Sequence, residues 1–238
     1  MYWAIALLAL GLIILVHELG HFIVARRKGI PISTFSVGFG PRLFGIKKGE
    51  TDFRISAIPL GGYVLPKLSR IDELHRIPVN RRIAFSLGGP IANILFAIVL
   101  LSIYNAITGG INLTNILILP FIQCGSFMIS MFLSLGALFT DPGNISGIVG
   151  IASQGGSMIS GGFVNILVFM IFISLNLAII NLLPIPILDG GKVFMALMEK
   201  ISVKSRRTQV PLTFASLFIL LGIILFSTLN DIIGLLGV

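Results

Sequence analysis

Five residues near the start of the chain, His17-Glu18-Leu19-Gly20-His21, have the types and spacing to do chemistry at a metal ion. Residues four apart on a helix share a face, so both imidazoles can reach one ion. Glu18 sits one position on, close enough to hold a water beside that ion without ligating it. In a soluble chain such a pattern is a common accident. Here it lies within the apolar run Tyr2–Ala25, about 12 Å along a helix from the first basic residue, Arg26. An acid at mid-membrane costs about 2.5–3.5 kcal/mol on insertion scales. A plain polar contact between helices is the ordinary alternative, and that cost weighs against it.

Two histidines are short of a catalytic zinc site, which takes three protein ligands and keeps one position open. The single cysteine, Cys124, cannot build a thiolate site and reads as a small buried apolar residue. Asp189 follows Asn181-Leu182-Leu183-Pro184-Ile185-Pro186-Ile187-Leu188, and two prolines two apart cannot continue a helix. Broken backbone at membrane depth is tolerated where it is buried in protein or lines a watery cavity. An acid on that wall is what a third ligand requires, so Asp189 is expected to complete a Zn²⁺ site with His17 and His21. An aspartate merely ending a helix beside Gly190-Gly191 is the alternative. With neutral imidazoles and an ionised Asp189, the site keeps one net positive charge and acidifies water there. Glu18 is expected to act as the general base.

The elements that position these groups follow from composition. Of 238 residues, 55% are hydrophobic and 11% charged, too few polar residues to cover a water-facing surface. Lipid must be part of the solvent. The net charge of +8 is not a nucleic-acid signature, because twelve Lys/Arg fall between Arg26 and Arg82 and the other five between Lys192 and Arg207. That asymmetry is the positive-inside bias. Four spans are expected, about 2–25, 83–104, 163–183 and 211–229, each facing the cytoplasm at its basic end. Both termini then lie on the extracytoplasmic side, and no cleavable signal peptide is expected at the N-terminus. A fifth apolar stretch, about 113–139, would put one basic cluster on the wrong side as a further crossing. It is expected as an interfacial or re-entrant helix, ended by a turn at Asp141-Pro142-Gly143-Asn144. In the connector, Phe53, Ile55 and Ala57 alternate with Asp52, Arg54 and Ser56, the period of a half-buried strand. With Arg42–Ile46 across Lys47-Lys48-Gly49-Glu50 this reads as a β-hairpin, within a region of about 36–64. The fold class is membrane all-α: about four transmembrane helices, a membrane-associated re-entrant β-hairpin and an extra interfacial helix, in a single domain over 1–238.

These motifs together resemble the site-2 protease family of intramembrane zinc metalloproteases. His17-Glu18-Leu19-Gly20-His21 and Asn181…Pro184…Leu188-Asp189-Gly190-Gly191 are its metal motifs. Gly38-Phe39-Gly40 and Leu60-Gly61-Gly62-Tyr63-Val64 resemble its re-entrant hairpin, and Gly88-Gly89-Pro90-Ile91-Ala92-Asn93 its second-span motif. The bacterial branch that cleaves anti-sigma factors and remnant signal peptides is closest in pattern. Two departures stand out. The interval between Tyr104 and Phe163 cannot hold that branch's PDZ domain, and its glycine-proline-valine-glycine reads Gly147-Ile148-Val149-Gly150. The resemblance implies hydrolysis of a peptide bond within a single-span membrane-protein substrate, in a bacterial inner membrane, with Asn181 contacting substrate backbone. Asn93 reads more readily as helix packing than as a site residue. Phe53, Ile55, Gly61 and Gly62 are expected to bind substrate, with the strand at Phe53–Ala57 offering a free edge for strand addition. A metal-ion or proton-coupled transporter and an inactive membrane-protein-binding relative are the rivals. The first lacks an inverted repeat, and the second is at odds with an intact Glu18 and ligand set.

Overall fold

The computed structural model describes residues 2–68, 71–134, 159, 161–202 and 206–236. Long apolar runs form helices because a span must satisfy every backbone group internally. α1 is Tyr2–Arg27, α2 Val79–Gly109, α3 Leu119–Ser134, α4 Phe163–Leu182, α5 Asp189–Ile201 and α6 Arg206–Leu236. A widened helical turn, Thr114–Ile118, leads directly into α3. Five helical stretches are long and apolar enough to cross a membrane: Ala4–Arg27, Val79–Gly109, Thr114–Ser134, Phe163–Leu182 and Arg206–Leu229. The protein is mostly helical and multi-pass. Four of these are the expected spans, each helix but α4 running past its apolar run. The fifth, Thr114–Ser134, falls in the stretch expected at the interface and is helical there, with the length and apolarity of a span. The expected turn at Asp141–Asn144, the Gly147–Gly150 motif and residues 135–139 lie outside the described residues.

The chain forms two compact units. The first comprises Met1–Ala9, Ile94–Ile179 and Thr213–Val238. In it Asn105 Nδ2 donates to Gln123 Oε1 at 2.8 Å, the kind of pairing between polar side chains that lipid favours. An apolar groove of about 300 Å³ runs beside that pair, between Leu101 and Tyr104 of α2, Phe127 of α3, and Ile171 and Leu175 of α4.

The second unit comprises Leu10–Asn93 and Ile180–Leu212 and carries the sheet. Its two long strands are β1, Ile32–Lys48, and β2, Thr51–Pro66. They pair antiparallel from the turn at Lys48↔Thr51 back to Phe44↔Ile55, and again at Val37↔Gly62, Phe35↔Val64 and Thr34↔Leu65. Both strands bend between these stretches. Gly38 and Gly40 make the bend in β1, with φ of +94° and +83°, a region that only glycine occupies cheaply. The bend creates a second set of partners, Thr34↔Asp52, Phe35↔Phe53, Ser36↔Arg54 and Val37↔Ile55, whose numbers rise together.

This register corrects one expectation. Phe53 pairs with Phe35 on one side and Ile46 on the other, and Ile55 with Val37 and Phe44, so Phe53–Ile55 is an interior stretch of the sheet. Among the stretches with partners on one side alone are Gly62–Leu65 and Phe44–Lys48. Phe53 also packs with Phe22 and Phe35, ring centroids 5.3 and 5.6 Å away, in the cluster that docks the sheet on the end of α1. Alternation along Phe53–Ala57 is only partly kept, since Ser56 is buried while Ile55 is exposed. Leu43, Phe44 and Ile46 on the outer stretch are exposed too.

At the other end of the unit, Glu199 is 4% exposed near the end of α5. Arg82 of α2 donates to its Oε2 at 2.6 Å, His75 lies 3.2 Å from the same oxygen, and Arg206 of α6 donates to Oε1 at 2.8 Å. Burial pushes the Glu199 carboxyl up, but these partners outweigh it and hold the group at about 2 against an ordinary 4.5. The cluster's contribution to stability is therefore whole above pH 4.5 and fades as the pH falls toward 2.

α1 and α2 meet backbone to backbone. A Cβ on Gly20 would strike the carbonyl of Gly88 and the methyl of Ala92, and one on Gly88 would lie 2.7 Å from the Gly20 carbonyl. Small residues permit such an approach in lipid, where packing rather than hydrophobicity holds helices together. Gly88→Val should force the crossing apart and cost about 1–3 kcal/mol. Thermal unfolding in mild detergent should show the lower midpoint; an unchanged midpoint would contradict the crossing.

Candidate metal centre and active site

The helix crossing places the site. On α1, His17 and His21 stand one turn apart on the face toward α2, and both are buried, as is Glu18. Asp189 opens α5 after the Pro184–Pro186 break, where the chain folds tightly on itself. A Cβ on Gly190 would strike the Leu182 carbonyl, and one on Gly191 the Ile185 carbonyl. The two glycines after Asp189 are thus required by the turn that aims it.

Three donor atoms converge. His17 Nε2 lies 3.2 Å from Asp189 Oδ2, His21 Nε2 lies 3.1 Å from the same oxygen, and the two Nε2 atoms are 3.2 Å apart. Ligands at about 2.0–2.1 Å around a tetrahedral Zn²⁺ stand about 3.3 Å from one another, so this triangle has the dimensions of one face of that tetrahedron. Hydrogen bonds do not account for it. Beside an ionised Asp189, which Lys192 supports, however two neutral imidazoles are protonated, one edge of the triangle sets proton against proton or lone pair against lone pair. A shared cation removes the conflict on all three edges. Among the described residues, this is the group of His, Cys, Asp and Glu side chains placed to hold a metal.

A second ring of contacts orients these ligands. His21 Nδ1 donates to the Phe85 carbonyl at 2.7 Å, which leaves the Nε2 lone pair facing the other ligands. Pro90, inside α2, has no N–H to offer the Ser86 carbonyl. The Gly89 N–H also lies 3.3 Å from His21 Nδ1. Lys192 Nζ donates to Asp189 Oδ1 at 3.0 Å, so the carboxylate's other oxygen, Oδ2, is the one turned to the histidines. The Asn93 amide lies 3.2 Å from His17 Nδ1.

The sheet reaches the site through Gly62. A Cβ there would lie 2.7 Å from Glu18 Cγ and 2.8 Å from the Ser36 carbonyl, so the one-sided stretch Gly62–Leu65 starts against Glu18. Gly61 lies under the Phe39 ring, which stacks on Tyr63 with centroids 6.1 Å apart. Asn181 is half-buried on the last turn of α4, one loop before Asp189.

The sequence profile of peptidase family M50 matches residues 5–225. The chain belongs to peptidase family M50. That is the site-2 protease family that its motifs resemble. A protein of Clostridium acetobutylicum, provisionally named a zinc metalloprotease, is 28% identical across 84% of this chain and 87% of its own length. A similarly named protein of Clostridium perfringens is 25% identical across 98% of this chain and 99% of itself. That alignment runs over 336 positions against 238 residues here, so the relative carries insertions. Protease RseP of Yersinia pestis is 44% identical across 41% of this chain and 24% of its own length.

For this M50 chain the sequence motifs located the three converging donors and Glu18, while Gly89, Lys192 and the Phe85 carbonyl went unsingled. The signal for Gly89 was present in Gly88-Gly89-Pro90. A Cβ at 89 would press on His21 Nε2 and lie 2.6 Å from His17 Nε2, in the space a shared ion would fill. Gly89→Ala should therefore abolish metal retention while the purified protein stays folded. Metal analysis beside circular dichroism checks this, and a metal-loaded Gly89→Ala would show that the ion sits elsewhere.

Proposed function

We propose that this chain is an intramembrane zinc metalloprotease that hydrolyses a peptide bond in the transmembrane segment of a membrane protein. The observation that carries the reading is the triangle of His17 Nε2, His21 Nε2 and Asp189 Oδ2, with Glu18 buried beside it on the same helix. These three residues would hold Zn²⁺, which supplies a Lewis acid that polarises the scissile carbonyl and acidifies the attacking water. Glu18 takes the proton of that water as its oxygen bonds to the carbonyl carbon. It then delivers the proton to the leaving nitrogen as the C–N bond breaks.

A substrate helix hides its carbonyls in its own hydrogen bonds, and unwinding it in lipid strands each freed group at several kcal/mol. A sheet edge offers replacements without demanding a sequence. Of the expected edge at Phe53–Ala57, Phe53–Ile55 is occupied on both sides, and the role passes to Gly62–Leu65, which starts against Glu18. Gly61 and Gly62 then keep that edge free of side chains at the point of approach. Asn181 is assigned to the substrate backbone near Asp189. The exposed Leu43, Phe44 and Ile46 support a hairpin that dips into lipid, since in water such an edge invites aggregation.

The basic residues at Arg26–Lys28, Arg81–Arg82 and Lys204–Arg207 put those helix ends in the cytoplasm. The protein then lies in a bacterial inner membrane with both termini on the extracytoplasmic side, and Thr114–Ser134 rests at the outer interface rather than crossing. His21 is five residues from Arg26, so the cut falls in the cytoplasmic half of the substrate span or near its middle.

Purified protein should hold about one zinc per chain, the open three-ligand arrangement of a catalytic site. His17→Ala, His21→Ala and Asp189→Ala should each lose it. Glu18→Gln should keep the metal and lose cleavage of a model single-span substrate by at least about 100-fold. Mass spectrometry of the products gives the bond cut. Cleavage surviving Glu18→Gln, or a cut at the outer surface, would refute the reading.

Proline substitution tests the edge. Neighbouring residues of a strand turn their N–H groups to opposite sides. Proline at Tyr63 and at Val64, made separately, should therefore differ: the one whose N–H faces away from β1 should slow cleavage with zinc content unchanged. Equal, full activity in both would remove strand addition.

A further inference from the structure

Asn93 has no role in the chemistry above, yet it is 0% exposed, and its amide stands 3.2 Å from His17 Nδ1. In the structure the amide nitrogen is the end nearest the ring. That arrangement makes Nδ1 the acceptor, and in a neutral imidazole the proton then sits on Nε2. Nε2 is the atom that faces His21 Nε2 and Asp189 Oδ2. A proton there would occupy the direction a metal needs.

His21 shows the opposite solution. Its Nδ1 gives a proton to the Phe85 carbonyl, and its Nε2 lone pair is thereby aimed at the other donors. His17 needs an equivalent acceptor, and the Asn93 amide is placed to be one. The two ends of an amide have nearly the same shape, so a half-turn about Cβ–Cγ exchanges oxygen for nitrogen within the same outline.

We propose that Asn93 is a positioning residue of the metal centre, whose side-chain carbonyl accepts the Nδ1 proton of His17 and turns the Nε2 lone pair toward the ion. α2 then orients both imidazoles of α1, one through the backbone of Phe85 and one through the side chain of Asn93, two turns further along. Outer partners of ligating histidines set their tautomer and ring orientation, and losing one weakens metal binding about 10–100-fold.

The inference rests on the zinc reading. The test compares wild type, Asn93→Asp and Asn93→Leu by competition with a zinc chelator in detergent, with folding followed by circular dichroism. An acceptor at 93 is retained by Asp and lost with Leu. Asn93→Asp should hold zinc about as tightly as wild type, and Asn93→Leu about 10–100-fold more weakly. Were Asn93 only a packing group, the apolar Leu would be the milder change and the buried charge of Asp the harsher, so the order would reverse. Nitrogen-15 NMR of labelled histidine in zinc-loaded wild type gives a reading that needs no variant. Two histidines should show Nδ1 protonated and Nε2 bound to metal. A zinc-bound histidine with a bare Nδ1, or Asn93→Leu at wild-type affinity, would overturn the role of Asn93 and leave the zinc reading standing. Wild type that holds no zinc would overturn both.

Discussion

The contact on which the structure depends is the backbone crossing of α1 and α2 at Gly20 and Gly88. A helix in lipid gains nothing from hydrophobicity by meeting another helix, so the two must touch closely to hold. Closeness also sets the chemistry. With a methyl group at either position, the helices would stand apart by the width of that group, and the outer partners of the imidazoles would be lost. The Phe85 carbonyl reaches His21 at 2.7 Å only because nothing but hydrogen separates the backbones one turn away. Gly89 extends the same logic to the ion itself, by leaving empty the space between two ring nitrogens.

Asp189 arrives by a different route. It stands at the start of α5, after a stretch that two prolines keep out of helix, and Gly190 and Gly191 let the chain turn back against its own carbonyls. Ten residues on, Glu199 ties the far end of α5 to Arg82 of α2 and Arg206 of α6. The helix that carries the acidic ligand is therefore held at both ends, by packing at one and by charge at the other. A buried carboxylate between two guanidinium groups is costly to assemble, and removing one partner is costlier still.

The parts of the site legible in the sequence were those whose chemistry is local. Two imidazoles and an acid four and one apart, in surroundings where polar groups are expensive, announce themselves. Asp189 was legible because Pro184 and Pro186 forbid the helix that would otherwise hide it. The sheet edge was not. Alternation at Phe53–Ala57 identifies a strand, but which neighbours flank it depends on the bend at Gly38 and Gly40, and those glycines specify flexibility without specifying where the chain goes next. Asn93 is hard to read for a related reason. A lone amide in a span always has packing as its ordinary explanation, and only the distance to a ring nitrogen 76 positions earlier separates the two. At Thr114–Ser134 length and apolarity form the helix, and the charge of the flanking segments is what assigns it to the interface.

The ligands are nearly sealed, with His17 and His21 each 6% exposed and Asp189 4%. Coordination chemistry alone then cannot govern how fast an ion enters or leaves. Zinc exchanges readily at an open surface site, whereas donors buried to this degree are slower for a chelator to reach. The rate of exchange becomes a rate of local opening, and its temperature dependence that of disrupting packed helices rather than of breaking single bonds. Loading is then easiest while α1, α2 and α5 are still coming together, and exchange in the folded protein is slow.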